Sequence, residues 1–163
     1  FVQLGGWDTH ASQLDNTTPI NGTHATLLDQ VSQGIDAFYK ATLELGVANQ
    51  VTTFTASDFG RTFRSNGDGS DHGWGGHHIV VGGAVKGRAF YGAPPPVSVG
   101  NTNAPQDQWH VGQGRLLPST SVDQYAATLA RWFGVEPQQL GGILPNLRQF
   151  GSSAYPLDLG FLG

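Results

Sequence analysis

Cysteine is absent from these 163 residues, and so is methionine. The first absence excludes disulfides and thiolate metal sites, and leaves the redox compartment open. The second extends to position 1, which is phenylalanine inside the apolar run Phe1-Val2-Gln3-Leu4, so the expectation is a fragment or processed product. Charge is sparse, at 12% of residues, with a net value of −4. The eight Lys and Arg residues form no basic stripe, which argues against a nucleic-acid partner. No apolar run approaches the roughly 20 residues of a membrane span. Three common catalytic signatures are also missing: the G-x-S-x-G elbow, the phosphate-binding P-loop and the dinucleotide fingerprint.

Glycine is abundant, with 24 copies beside nine prolines, and 38% of the chain is hydrophobic. Those values describe a loop-rich globular chain long enough for one core. Residues 1–4 read as the end of a strand broken by Gly5-Gly6. From His24 to Leu45 the apolar residues Leu27, Leu28, Val31, Ile35, Phe38 and Leu43 recur at helical steps. Thr23 is the expected cap and Gly46 the expected stop. Val51–Thr55 and Ile79–Val81 read as strands, and the glycine-rich stretch 64–76 reads as loop. Ser119 to Gly134 reads as a second helix, capped within Ser119–Ser121, with Val122, Tyr125, Ala126, Leu129 and Phe133 as its buried stripe. The order implies an α/β layer. Parallel strands at 1–4 and 51–55, joined by the first helix, would set their following loops side by side.

Those loops carry the polar chemistry. The segments are Gly5-Gly6-Trp7-Asp8-Thr9-His10, Ser57-Asp58-Phe59-Gly60-Arg61-Thr62 and Ser70-Asp71-His72-Gly73-Trp74-Gly75-Gly76-His77-His78. Asp8 and His10 project to one side of an extended stretch. Asp58 adds a second carboxylate and His72 another imidazole. The mixed oxygen and nitrogen donors of Asp8, His10, Asp58 and His72 suit one divalent metal, zinc first, with manganese or another first-row ion as alternatives. Such a centre polarises an ester oxygen or activates a water. Arg61 is placed to clamp an oxyanion. Taken singly, each residue also has a structural reading. Asp8 can cap a turn, Asp58 can pair with Arg61, and Asp71 reads as an Asx turn rather than a ligand. His24 and His110 read as structural. Trp7 and Trp74 flank the motifs, so a polymer-binding surface is the rival function, with core packing the default for both rings.

The same segments, with Val80-Val81-Gly82-Gly83, the stretch Thr120–Val135 and Pro145-Asn146-Leu147, resemble the C-terminal part of the bacterial family called domain of unknown function 1501. The resemblance runs from residue 1 to about residue 150. It implies membership of the alkaline phosphatase and sulfatase superfamily, hence a partial α/β/α sandwich, with residues 1–163 a single incomplete domain. It also implies export to the periplasm or beyond, a metal site holding Asp8, His10, Asp58 and His72, and a nucleophile outside this chain. Small-molecule or polymeric phosphate or sulfate esters are the implied substrates, and the oligomeric state is left open. The chain departs from the superfamily pattern at Phe59, where a histidine ligand is expected. That departure keeps alive an exported, non-catalytic module binding a glycan or envelope polymer. A third expectation is an inactive partial domain with an uncovered apolar face.

Overall fold

A computed structural model describes residues 1–98, 100 and 102–163. The described residues form a mixed α/β chain with two small antiparallel sheets and three α-helices. The elements are α1 (Thr23–Glu44), β1 (Thr52–Phe54), β2 (Gly60–Ser65), β3 (Ser70–Gly73), β4 (Val80–Gly82), α2 (Val122–Trp132) and α3 (Pro137–Ile143).

The first helix forms where its periodicity places it, but Gly22 precedes it in the capping position and contributes no side-chain bond. Thr23 is the first helical residue. Glycine is required at 22 because a Cβ there would lie 2.2 Å from the Gln13 carbonyl oxygen. At the other end Gly46 takes φ +71°, the left-handed turn that stops a helix. Leu27 and Thr42 are buried, with Val31 and Ile35 half-buried on the same side. Leu28, Phe38 and Leu43 are each about half exposed, so the inward stripe is narrower than the apolar pattern suggested.

The strand arrangement differs from the expected parallel pair. Residues 1–4 form no strand, and Phe1 and Val2 are fully open to solvent. A strand exists only through bonds exchanged with a neighbour, and no described segment pairs with this one. β1 pairs antiparallel with β4, setting Thr53 opposite Val81. β2 and β3 form an antiparallel hairpin whose turn and second strand lie inside the 64–76 stretch expected to be loop, pairing Gly60 with Gly73 and Arg61 with His72. The register shifts between Arg61 and Ser65, which lets a glycine-rich sequence turn without a regular ladder.

The main apolar core lies in the C-terminal third. Ala127, Leu140 and Leu147 are buried, with Ala130, Val135, Leu144 and Phe150 packed on them. α2 begins with a capping box in which Ser121 Oγ accepts the Gln124 N–H and Gln124 Oε1 accepts the Ser121 N–H. Its buried face matches the expected apolar stripe only in part, with Tyr125, Ala126 and Leu129 half-buried. Val122 is 74% exposed and Phe133 83% exposed, whereas Gln124, Ala127 and Thr128 are buried. The two polar residues go inside because the tail satisfies them. Gln124 Nε2 donates to Pro156 O at 2.7 Å, and Thr128 Oγ1 accepts the Leu159 N–H at 3.0 Å. Periodicity of apolar residues cannot register a buried face built from hydrogen bonds.

Candidate metal centre

The segment from Trp7 to Leu14 has no regular structure of its own, and the β2–β3 hairpin holds it in place. Arg61 Nη1 donates to Ser70 O at 2.6 Å, and its Nη2 donates to Trp7 O and to Thr9 Oγ1. At the hairpin turn, Asp68 accepts the Ser12 N–H and its carbonyl accepts the Leu14 N–H. Asn66 Nδ2 donates to His10 O at 3.0 Å, and Ser70 Oγ donates to Gln13 Oε1. Gly69 permits this close docking, since a Cβ on it would lie 2.3 Å from His10 O. A single guanidinium on β2 therefore ties both β3 and the Trp7–Thr9 segment to its strand through its two terminal nitrogens.

This docking brings Asp8, His10 and His72 together. His72 Nε2 stands 2.6 Å from Asp8 Oδ1, and His10 Nε2 stands 3.0 Å from the same oxygen. One ligand atom from each residue lies within 4.8 Å of the others. The two imidazoles are stacked with centroids 4.9 Å apart. Phe59 lies almost parallel to His72 on a 4.0 Å centroid separation, and the Arg61 guanidinium carbon is 5.2 Å from the Phe59 centroid. The residue that replaces an expected ligand thus braces an actual candidate ligand. The Asp8 carboxyl is held below the usual aspartate range, first by the His72 hydrogen bond and then by the charges of His10, His72 and Arg61.

The donors fit a divalent ion. One carboxylate oxygen and two imidazole nitrogens converge closely enough to share such an ion after a small outward shift of the rings. Two imidazoles and one carboxylate also leave coordination positions open, as a site that must accept water or substrate requires. The side chains are 63%, 51% and 43% exposed for Asp8, His10 and His72, so a ligand can reach them.

The other sequence candidates fall elsewhere. Asp58 is exposed and lies outside the three-residue group found among the described residues. Arg61 already donates from both terminal nitrogens to the protein itself. Asp71, read from sequence as a turn residue, instead places Oδ1 3.2 Å from His10 Nδ1. Nothing in the sequence separates these two Asp71 readings, because the contact spans 61 positions. His77 is exposed, and His78 stacks on Tyr125. His24 meets Trp7 edge-on, so Trp7 is engaged in packing while Trp74 is 66% exposed. His110 accepts the Gly114 N–H at 2.8 Å, in keeping with a structural role.

Residues 1–144 match the family model described as "Protein of unknown function (DUF1501)". No curated protein and no solved structure matches the chain. The chain belongs to the DUF1501 family.

Proposed function

For this DUF1501 protein we propose a metal-dependent hydrolase centre acting on phosphate or sulfate esters, with Asp8, His10 and His72 as its metal ligands. The convergence of those three side chains from two distant segments carries the reading. The resemblance to the alkaline phosphatase and sulfatase superfamily, with its α/β/α sandwich, supports the substrate class and the exported location. Zinc is the preferred ion for a two-imidazole, one-carboxylate set, with manganese as the next choice. When bound, the ion supplies Lewis acidity toward an ester oxygen and lowers the pKa of a coordinated water.

The chain's own residues have distinct tasks in this reading. Asp8 supplies the anionic donor, and its low pKa keeps it ionised through the neutral range. Phe59 holds the plane of His72 through the stack. Arg61 fixes Trp7 and Thr9 on either side of Asp8, and its charge reinforces the carboxylate. With Asp58 outside the cluster, the fourth position belongs to water or substrate.

The experiment is metal analysis of the purified protein by mass spectrometry, beside Asp8→Ala and His72→Ala. The expected result is about one equivalent of zinc or manganese, lost in both variants, with aryl phosphate or aryl sulfate hydrolysis that Asp8→Ala abolishes. A metal-free protein that gains none on dialysis against zinc rejects the metal centre. A metal-bearing protein inactive on both esters rejects the hydrolase.

A further inference from the structure

Both ring nitrogens of His10 face a carboxylate. Nε2 stands 3.0 Å from Asp8 Oδ1, and Nδ1 stands 3.2 Å from Asp71 Oδ1. A neutral imidazole carries only one N–H, so it can donate to only one of these oxygens. A second ring proton removes the conflict, and so does a cation on the Nε2 side, where His72 Nε2 and Asp8 Oδ1 also converge. Nε2 then presents its lone pair to the ion, and Nδ1 keeps the proton and donates it to Asp71.

We propose that Asp71 is the positioning residue of the metal centre: its carboxylate accepts the Nδ1–H of His10, fixes the tautomer and aims Nε2 at the ion. The proposal rests on the metal reading above and assigns a task to a residue outside the three ligands. Ligating histidines commonly donate their second ring N–H to a carboxylate, which orients the ring and raises its basicity.

Asp71 is itself held in place. Its backbone N–H donates to Thr62 Oγ1 at 3.2 Å, across the β2–β3 hairpin. Asn66 Nδ2 approaches Asp71 Oδ1 at 3.4 Å while donating to His10 O at 3.0 Å. One amide therefore spans both members of the pair. His10 is anchored at its backbone by the hairpin turn and at its ring by the hairpin strand. Asp8, by contrast, stands beside both histidines on their Nε2 sides. The two carboxylates have separate tasks, one toward the ion and one behind it.

The test measures zinc affinity calorimetrically on the whole chain for wild type, Asp71→Ala, Asp71→Asn, Asp8→Ala and His10→Ala. Asp71→Ala should weaken zinc binding about 10–100-fold. Asp71→Asn, which keeps an acceptor oxygen but not the charge, should recover part of the loss. In the zinc-loaded wild type, long-range proton–nitrogen spectra should show His10 protonated at Nδ1. That proton should be shifted downfield by the carboxylate and should move upfield in Asp71→Asn. A change confined to folding would not produce this signature.

Wild-type affinity and an unmoved ring proton in Asp71→Ala, with binding lost in Asp8→Ala, overturn the positioning role and leave the metal centre standing. Failure of the wild type to bind zinc, or unchanged binding in both Asp8→Ala and His10→Ala, overturns the metal centre and this role with it. If Asp71→Ala does not fold, wild-type affinity in Asp71→Asn is the overturning result.

Discussion

Asp8 and His72 are 64 positions apart in the chain, yet their Oδ1 and Nε2 atoms meet at 2.6 Å. His10 closes on the same oxygen, so one carboxylate oxygen organises two imidazoles. That oxygen has two lone pairs, so it can accept an N–H from each ring or share a cation with them. The predictions below follow from how this meeting is built.

Arg61 is the main tie between the Trp7–Thr9 segment and the hairpin. Arg61→Ala should cost about 1.5–3 kcal/mol in urea unfolding, the range for hydrogen bonds to charged groups. Zinc affinity should fall with it, since Asp8 lies between the two residues Arg61 holds. Arg61→Lys should restore less than half of the stability, because a single ammonium replaces a planar fork. Wild-type stability in Arg61→Ala would refute the tie.

Phe59 stacks on His72 within 6° of parallel. Phe59→Ala should lose about 0.5–1.5 kcal/mol beyond the area term and weaken zinc binding severalfold by freeing the ring. Phe59→Leu should keep most of the stability but not the zinc affinity. Equal zinc affinity in all three proteins would show that the stack is packing alone.

Ser121 and Gln124 cap α2 reciprocally. Ser121→Ala should destabilise the chain by about 1 kcal/mol, read as a lower urea midpoint with unchanged slope. Zinc affinity should stay at its wild-type value, since α2 contributes no donor to the candidate centre. A matching loss of zinc affinity would mean that the two regions are coupled.

His24 and His78 both have pKa values lowered from 6.5, in each case chiefly by burial. A lowered folded-state pKa means the unfolded chain binds more protons in this range, so stability rises with pH. The contribution of these two residues is present above pH 6.5 and is lost as the pH falls through their folded values. Urea midpoints taken from pH 7.5 downward should therefore decline below about pH 6.5. His78→Gln should flatten that decline. A midpoint that is constant or rises on acidification contradicts the prediction.

Much of the scaffold was legible in the sequence. The helical steps from Leu27 to Ile35, the stop at Gly46, a cap within Ser119–Ser121 and the strand runs at 51–55 and 79–81 are local signals, decided by neighbours within a few residues. The family was legible too, because its motifs are contiguous strings. The candidate ligands Asp8, His10 and His72 could be picked out because each sits in a short polar motif that also carries glycine.

What the sequence did not determine is how those motifs meet. A parallel crossover was the simplest way to bring the loops together, but the β2–β3 hairpin brings them together instead. The turn and second strand of that hairpin lie in residues 64–76, whose glycines read as loop, because strand pairing at Gly60–Gly73 depends on partners and not on propensity. Tertiary structure alone separated Asp71 from Asp58. Both are aspartates beside glycine-rich turns, and only docking of the 7–14 segment sets one of them against His10. It also decided that α2 buries Gln124 and Thr128, since the carbonyl and amide that satisfy them come from residues 156 and 159. Residue type fixed which chemistry was possible. Hydrogen bonds between segments more than 50 positions apart, such as Arg61 to Thr9, fixed which residues could share it.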